Sequence, residues 1–450
     1  MRTIGSSDIS TSLSGMGRRL RVACSPAARI YRFLQESQWY SAEQFRAYQF
    51  SELHQVIRRA YETVPYYRTL MEVYGLHPEQ LRSLDDIRRL PMLTAEEIRK
   101  HHQELLSDDL LWSFSEPAMN QVSGVPVPFH YDLYNLGFEA ALMRRQYRWA
   151  GLGRWDRIAT LKSERITASQ LRKGIFWHFS LAENRLRMSA HHLSVNNAGR
   201  YIRALRYYQP RALDGYPSVL YVLSKVMLQK NIRFAMAAVL TSSETLLPAQ
   251  RSVIQKAFSS PVFDYYDMKE RAAAIHTCEY GRYHIIPEYS LVELITNDET
   301  KGDYVEIVGT SLTNRAMPMI RYRAGDLVKM SRKSCPCGRC MPVVEHIVGH
   351  GNDYVVTPSG KLIGRLDRIF REAPNLRDVQ IYQPDREHLV LRIVPDRYFK
   401  DYDGTAILEK LKKVLGEEIR VEIERRSSIP ATNGGKHKTV ISDVNAYTEL

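Results

Sequence analysis

Short strand-like runs alternate with helix-like runs through the middle of the chain, and this alternation constrains the fold more than any other feature. The strand-like runs between residues 157 and 296 are RIAT, RALDGY, AAVLTSS, PVFDYY and YSLVELIT. The runs NNAGRYIRALRYY and AQRSVIQKAF have helical spacing and separate several of these strands. Such alternation predicts an α/β domain with parallel or mixed sheets, whose functional loops lie at the ends of strands.

The two ends of the chain have different patterns. Apolar residues from Leu53 to Val64 follow helical spacing, and Pro65 is expected to end that helix. Towards the C-terminus the expected order is strand DYVVT, helix LIGRLDRIFREA, strands VQIYQ and HLVLRIV, helix AILEKLKKVLG and strand IRVEIE. Gly416 is a natural stop for the second helix, whose apolar face is expected to contain Ile407, Leu408, Leu411, Val414 and Leu415. We therefore predict a large domain at 1–348, including a helical extension at 1–60, and a small α+β domain at 349–450 with a split βαβ order.

Composition narrows the class of protein. With 44% hydrophobic and 25% charged residues in 450, the chain is expected to be a soluble globular protein. It contains no apolar run of about 18 residues, so we expect no transmembrane segment and a cytoplasmic location. The net charge of +13 favours anionic partners. No nucleic-acid-binding module accompanies that charge, and we do not expect nucleic acid as a partner.

Two groups of residues carry candidate chemistry. In TNRAMPMIRYRAGDLVKM, a strand-like run leads to Gly325 and Asp326, where a carboxylate at a turn can accept hydrogen bonds from sugar hydroxyls. Taken alone, such a pair is more often a simple turn. Four of the five cysteines fall between residues 278 and 340, where three thiolates and one imidazole would make a closed, structural zinc site: Cys278, His284, Cys335 and Cys337. Cys340 is a spare or an alternative ligand, and separate reduced core cysteines are the other interpretation.

Several longer stretches occur in the order and spacing of a known family. They include LDGYPSVLYVLSKVM, TSSETLLPAQ, SSPVFDYYDMKERAA, CEYGRYHIIPEYSLVELI, CPCGRCMPVVEHIVGHGNDYVV and SIPATNGGKHKTVISD. Together they resemble the phenylacetate–coenzyme A ligase family, and more narrowly its CapK branch, from about residue 45 to the C-terminus. The resemblance implies the adenylate-forming fold, in which a large domain and a small mobile domain enclose ATP, Mg²⁺ and a carboxylic acid.

The resemblance also implies roles for individual residues. Lys436, in GGKHK, would reach the acid carboxylate and the α-phosphate, and Glu270 would lie near Mg²⁺ and the phosphates as a hard oxygen ligand. Tyr266 would border the adenine, and Asp326 would hold the ribose. Further nucleotide-side residues would be Ser243, Glu244 and Asp353, the last at the interdomain hinge. Arg315 and Arg321 lie close enough in sequence to support either the phosphates or the turn at Asp326. The acid itself would be lined by Tyr216, Ser218 and Ser243.

The chain departs from the family at the phosphate loop. Within MNQVSGVPVPFHYD, Ser123 and Gly124 remain as phosphate contacts. Gln121 stands where a glycine is usual, and Val125 where a lysine is usual. Asp267 and His350 likewise replace a glycine and an arginine.

These observations lead to one predicted function and two alternatives. We predict a divergent ligase that forms an acyl-adenylate from ATP and transfers the acyl group to coenzyme A, a carrier thiol or an amine, in polysaccharide or secondary-metabolite biosynthesis. Carrier proteins or pathway enzymes are then expected partners, and the sequence gives no oligomeric state. The altered loop also fits a catalytically silent scaffold, or an acyltransferase that uses a donor activated elsewhere.

Overall fold

A computed structural model describes most of the chain in two compact units. The described residues are 25–109, 113–117, 128–296, 304–331, 333–347, 354–358, 362–364, 366, 369–370, 375–429 and 440–444. The first unit comprises the described residues up to Thr94, from His101 to Ser115 and from Phe129 to Gly349. The second comprises those from Ala95 to Lys100, Glu116 to Pro128 and His350 onward.

Helices form the beginning of the described chain. They are α1 (Ala27–Ser37), α2 (Ala42–Thr63), α3 (Pro65–Val73) and α4 (Ala95–Lys100). Ser41 and Gln44 close the start of α2 with a reciprocal capping box. Pro65 ends α2 as predicted and also opens α3, because proline suits the first position of a helix. No described helix is both long and apolar enough to cross a bilayer.

A twelve-stranded sheet dominates the first unit. After β1 (Phe114–Pro117) and β2 (Pro128–Tyr131), the elements are α5 (Leu133–Trp149), β3 (Ile158–Lys162), α6 (Ala168–Arg172), β4 (Trp177–Ser180), β5 (Arg185–Ser189), α7 (Ala198–Tyr208), β6 (Ala212–Gly215), α8 (Pro217–Gln229), β7 (Ala238–Ser242), α9 (Pro248–Phe258) and β8 (Val262–Asp267). Then follow β9 (Ala274–Thr277), β10 (Tyr283–Ile285), β11 (Ser290–Ile295), β12 (Tyr304–Ser311), β13 (Tyr322–Met330) and β14 (Val343–Ile347). The strand order is β11-β12-β13-β14-β10-β9-β8-β7-β6-β3-β5-β4.

Five neighbouring strands of this sheet are parallel, and helices cover both of their faces. Strands β5, β3, β6, β7 and β8 run in one direction, whereas the flanking pairs are antiparallel. One face packs with α1 and α5 through residues such as Phe138 and Leu240. The other packs with α7, α8 and α9 through residues such as Leu213 and Phe258. The carboxyl ends of all five parallel strands therefore meet at one edge.

The second unit contains a small sheet backed by one long helix. Strands β17 (Leu376–Gln383), β18 (His388–Pro395), β19 (Arg420–Arg425) and β20 (Val440–Ser442) pair in the order β19-β18-β17-β20. Helix α10 (Asp401–Leu415) ends before Gly416, whose φ of 101° suits glycine alone. Its buried face includes Ile407, Leu411 and Leu415. Val414 is exposed, so its assignment to that face was wrong.

One predicted helix of the second unit is wrong at its start. Residues Leu362–Gly364 form strand β16, which pairs with β15 (Tyr354–Val356). A β-branched residue, Ile363, lies beside a glycine in this stretch, and pairing with a neighbouring strand overrides the helical spacing of the sequence. Within the rest of the predicted helix, the described residues 369–370 are helical.

Candidate functional site

The candidate site is built on the loops that follow the parallel strands. In open α/β sheets, ligands bind outside the carboxyl ends of such strands. Ser243 and Glu244 follow β7, while Tyr266 and Asp267 end β8 and lead to Glu270. Several predicted residues thus lie at one edge of the sheet, although they are dispersed in sequence.

Asp326 and Tyr266 contact each other directly. The Tyr266 hydroxyl donates a hydrogen bond to Asp326 Oδ2 over 2.5 Å. Burial, followed by the neighbouring Asp326 charge, raises the pKa of Tyr266 well above its ordinary value. The tyrosine is therefore protonated and a hydrogen-bond donor, which holds the carboxylate in a fixed orientation.

Asp326 lies within a strand, and its predicted place at a turn was wrong. It belongs to β13, where Glu306 pairs with Leu327 but Val308 pairs with Arg323. The extra residues form a bulge, and Gly325 at φ 70° supplies the left-handed backbone that such a bulge requires. Bulges redirect side chains, and this one presents Asp326 to Tyr266.

Glu270 lies beside the same pair. The Tyr322 hydroxyl donates a hydrogen bond to Glu270 Oε1 over 3.1 Å. The backbone that follows Glu270 is pressed against β12, because a Cβ on Gly309 would lie 2.2 Å from the Ala272 carbonyl oxygen. Glu270 is thus held on a closely packed loop, with carboxylate oxygens of the kind that Mg²⁺ prefers.

Ser243 and Glu244 have defined positions at the end of β7. Ser243 adopts a left-handed conformation at φ 68°. Glu244 accepts a hydrogen bond from the Ser218 backbone N–H over 3.0 Å, at the start of α8. A carboxylate at a helix N-terminus is stabilised by the unpaired N–H groups there. Glu244 therefore orients the start of α8, and Tyr216 next to it contacts the Ser163 hydroxyl over 3.1 Å.

The two arginines of the predicted phosphate side lie in different surroundings. The Arg315 guanidinium stacks over the Tyr134 ring at 4.3 Å. Arg321 is buried and forms a two-pronged ion pair with Glu293, with both N···O distances 2.9 Å. Its remaining nitrogen donates to backbone carbonyls of residues 88 and 90. The suggestion that Arg321 supports phosphates was wrong, because its donors are directed at the protein interior.

Several predicted residues lie outside the described part of the chain. They are Ser123 and Gly124 with the substituted positions Gln121 and Val125, the hinge residue Asp353, the substituted position His350, and Lys436. Their roles stay predictions.

The four predicted zinc ligands come together. Their ligand atoms all lie within 4.8 Å of one another, with 3.5 Å between the sulfurs of Cys278 and Cys335 and 3.5 Å from Cys337 Sγ to His284 Nε2. With Zn–S bonds of about 2.3 Å and Zn–N bonds of about 2.0 Å, a tetrahedral site has ligand separations between roughly 3.5 and 4 Å. The cluster therefore fits zinc. Cys340 is exposed and lies outside it.

The electrostatics of this cluster suit a metal better than free thiols. Burial raises the pKa of Cys278, and it raises that of Cys335 to about 12. Burial lowers the pKa of His284 to about 4, so its imidazole is neutral and can donate a lone pair. A bound cation would stabilise the thiolate forms that burial otherwise disfavours.

A polar group that the sequence did not reveal lies further along the same edge. Lys162 Nζ lies 2.9 Å from the Asp214 carboxylate and donates a hydrogen bond to the Tyr265 hydroxyl over 2.9 Å. These residues lie on β3, β6 and β8, separated by 52 and 103 positions from Lys162. The only signal in the sequence was a charged residue directly after the apolar run of β3.

Comparisons with known proteins agree with this architecture. Residues 355–443 match the family model of the CapK C-terminal domain. Protein CapK of Staphylococcus aureus is 24% identical, over 88% of this chain and 88% of its own. The phenylacetate-coenzyme A ligase of Thermus thermophilus is 22% identical, over 89% of this chain and 96% of its own.

Solved structures extend the likeness to the fold. A 2-hydroxyisobutyryl-CoA ligase in complex with 2-HIB-AMP and CoA aligns with a TM-score of 0.60 and 19% identity, covering 91% of this chain and 92% of that one. The same ligase in its postadenylation state aligns with a TM-score of 0.53. The predicted α/β fold with a small α+β unit is confirmed.

Proposed function

We propose that this chain, which is homologous to CapK and to the phenylacetate–coenzyme A ligases of the adenylate-forming family, is an ATP-dependent ligase that activates a carboxylic acid. Coenzyme A, the acceptor in the name of the phenylacetate-coenzyme A ligases, is the proposed acceptor, and a carrier thiol or an amine is the alternative. A role in polysaccharide or secondary-metabolite biosynthesis, beside carrier or pathway proteins, belongs to the same proposal. We place the reaction in the cytoplasm, where ATP and coenzyme A are available.

One observation carries the proposal. Asp326, Tyr266 and Glu270 come from two segments more than 50 positions apart. They meet at the carboxyl end of β8, where Tyr266 donates a hydrogen bond to Asp326 and Tyr322 donates one to Glu270. Each carboxylate oxygen has more than one acceptor site, so Asp326 could accept hydrogen bonds from ribose hydroxyls while it is bonded to Tyr266. Glu270 would supply an oxygen ligand for Mg²⁺ on the same side. The arrangement supports a nucleotide at this edge of the sheet.

The proposed reaction has two steps. An oxygen of the acid attacks the α-phosphorus of ATP, the bond to the bridging oxygen breaks, and pyrophosphate leaves. A thiol sulfur then attacks the acyl carbon, AMP departs, and the thiol proton passes to solvent. Negative charge develops on the α-phosphate in the first step, and Lys436 is proposed to stabilise it.

The altered phosphate loop supports a second candidate function. Gln121 and Val125 replace a flexible glycine and a cationic lysine, and loss of one transition-state donor typically costs about a hundred- to a thousandfold in rate. An acyltransferase that takes an already activated acyl donor would need fewer phosphate contacts. A catalytically silent scaffold would need none.

We also propose a structural zinc ion at Cys278, His284, Cys335 and Cys337. A complete set of four protein ligands leaves no position for substrate, so the ion would stabilise the fold. It would join strand β10 to the segment before β14.

Calorimetry and product analysis test the ligase. The purified protein is expected to bind ATP with Mg²⁺, and to release AMP and pyrophosphate with at least one member of a panel of carboxylic acids. Acyl transfer from acyl-coenzyme A without ATP would support the acyltransferase instead. If the protein neither binds ATP nor transfers an acyl group, the catalytically silent scaffold is the function that remains.

A further inference from the structure

One face of the parallel sheet changes from apolar to polar at the same level on several strands. Side chains two residues apart share a face, so alternate residues along each strand can be followed. Ile158, Ala212, Leu240 and Phe263 on this face belong to the core that packs on α1 and α5. The residues that follow them on the same face, towards the carboxyl edge, are Thr160, Lys162, Asp214, Ser242, Tyr265 and Asp267.

Strand register confirms that these polar residues are neighbours. Thr160 lies directly opposite Asp214, and Ser242 directly opposite Tyr265. Lys162 joins the two pairs through its contacts to Asp214 and Tyr265. The patch is therefore continuous across β3, β6, β7 and β8.

The patch offers hydrogen-bond donors that the described residues leave unused. An ammonium group has three donors, and Lys162 uses two, on Asp214 and Tyr265. The Tyr265 hydroxyl accepts from Lys162 and donates to no acceptor in the described part of the chain. The Lys162 side chain is 25% exposed, although Asp214 is only 5% exposed. The lysine thus connects the protein interior to an accessible space.

Acceptors lie beside these donors. The Thr160 hydroxyl is buried and has no hydrogen-bond partner among the described residues. Asp267 is exposed at the end of β8, and the charges of Arg271 and Lys162 act on its carboxylate. A ligand group that both donates and accepts would satisfy the whole patch, whereas an alkyl or unsubstituted aryl chain would leave buried polar groups unpaired.

We propose that this patch recognises the acid, that Lys162 and Tyr265 determine specificity, and that the preferred substrate is a hydroxylated carboxylic acid. This inference rests on the proposed function for the reaction, but the recognition of a hydroxyl group can be tested separately. Sites built to bind a substrate hydroxyl discriminate strongly against the analogue that lacks it.

Matched pairs of acids test the inference. Lactate is compared with propionate, mandelate with phenylacetate, and gluconate with hexanoate, first by thermal shift with and without AMP and then by hydroxamate trapping with ATP. We expect at least one hydroxylated member to raise the melting temperature and to be activated at least about tenfold better than its partner.

Three variants locate the effect. Tyr265→Phe removes one hydroxyl and keeps the ring, and Lys162→Met keeps the length of the side chain. Both are expected to reduce the preference for the hydroxylated acid by about tenfold or more, as expected for loss of a charged or neutral hydrogen bond. Lys256→Met, on the exposed side of α9, is the control and should leave the preference unchanged.

The outcomes separate this inference from the proposed function. Preferential binding of a hydroxylated acid without activation by ATP would support the patch and contradict the ligase. Activation of the apolar members at equal or higher rates would support the ligase and overturn the patch. Failure of every hydroxylated acid both to bind and to react would also overturn it, as would an unchanged preference in Tyr265→Phe.

Discussion

The Asp326 carboxylate accepts a hydrogen bond from Tyr266 through Oδ2, which orients the group for a second interaction. We expect Asp326→Asn to weaken ATP binding by about 10- to 100-fold, because a hydrogen bond to a charged acceptor contributes about 1.5–3 kcal/mol. Isothermal titration calorimetry with ATP and Mg²⁺ measures the change. The matched variant Tyr266→Phe keeps the carboxylate and is expected to have a smaller effect. Equal ATP affinity in Asp326→Asn and the wild type would contradict this assignment.

Asp326 also shows what sequence can predict about a residue. The Gly-Asp pair drew attention to this carboxylate, because a flexible residue beside a short acid is a recognisable pattern, and its role at the ribose stays a prediction. Its setting in a bulge of β13 depends on the register with β12, which lies nearly twenty positions earlier. Lys162 and Asp214 were missed for a similar reason, since their contact depends on the order of strands in the sheet.

A second prediction concerns a buried ion pair. Arg145 on α5 donates to Glu288 Oε1 over 2.7 Å, and both side chains are 0% exposed. Ser37 donates to the same oxygen over 2.7 Å. We expect Arg145→Met to lower the free energy of unfolding by about 3–5 kcal/mol, because it leaves the Glu288 carboxylate buried and unpaired. Urea denaturation followed by tryptophan fluorescence measures the change.

Two further variants separate charge from packing at this pair. The double variant Arg145→Met, Glu288→Leu removes both charges and is expected to recover most of the stability. Arg148→Met lies one turn further along α5 at an exposed position, and it should change stability by less than about 0.5 kcal/mol. An Arg145→Met variant as stable as Arg148→Met would show that the pair contributes nothing.

At the scale of elements, the cysteine cluster joins the turn after β9, strand β10 and the segment before β14. We expect the purified protein to contain about one zinc ion per chain, as structural sites of three thiolates and one imidazole do. Cys278→Ser should lose the metal and lower the melting temperature. Cys340→Ser is the matched control, because this exposed cysteine lies outside the cluster, and it should keep both.

Metal analysis by plasma emission and a chelator-dependent melting temperature check this prediction. A wild-type protein that is free of zinc and insensitive to chelator would contradict it. Retention of zinc in Cys278→Ser with loss in Cys340→Ser would instead favour Cys340 as a ligand.

Elements with strong local signals were the most predictable. The spacing around Ile407 and the glycine at 416 predicted α10, and Pro65 predicted the end of α2. The helix predicted after residue 361 was wrong at its start, because Leu362–Gly364 forms a strand that pairs with Tyr354–Val356. Local spacing in the sequence does not reveal such a contact between two segments. The zinc candidates were found because cysteine and histidine are rare enough for a cluster to stand out.

At the scale of the whole molecule, the alternation of strands and helices predicted the α/β class but not the order of twelve strands. That order brings the ends of β3, β6, β7 and β8 to one edge, where the residues proposed to bind the nucleotide and the polar patch both lie. The division of the chain into functional domains at 348 and 349 stays a prediction. The choice between a ligase, an acyltransferase and a scaffold also stays a prediction.

Lys436 distinguishes these three functions. We expect Lys436→Ala to reduce acid-dependent release of AMP and pyrophosphate by about 100- to 1000-fold, because a cation that stabilises charge on the α-phosphate acts mainly in the transition state. ATP affinity should change little, since binding of the ground state uses other groups. Calorimetry and product release on the same preparation separate the two effects.

Lys438→Ala is the matched control, because this lysine lies two positions further in GGKHK and carries the same charge. It should retain the activity of the wild type. Equal losses in both variants would mean that general charge, rather than one positioned lysine, supports the reaction. Acyl transfer that survives in Lys436→Ala from acyl-coenzyme A would favour the acyltransferase, because that reaction needs no charge stabilisation at an α-phosphate. A wild-type protein that binds no ATP, together with an unchanged phenotype of cells that carry Lys436→Ala, would favour the scaffold. That function also fits the altered loop at 121–125.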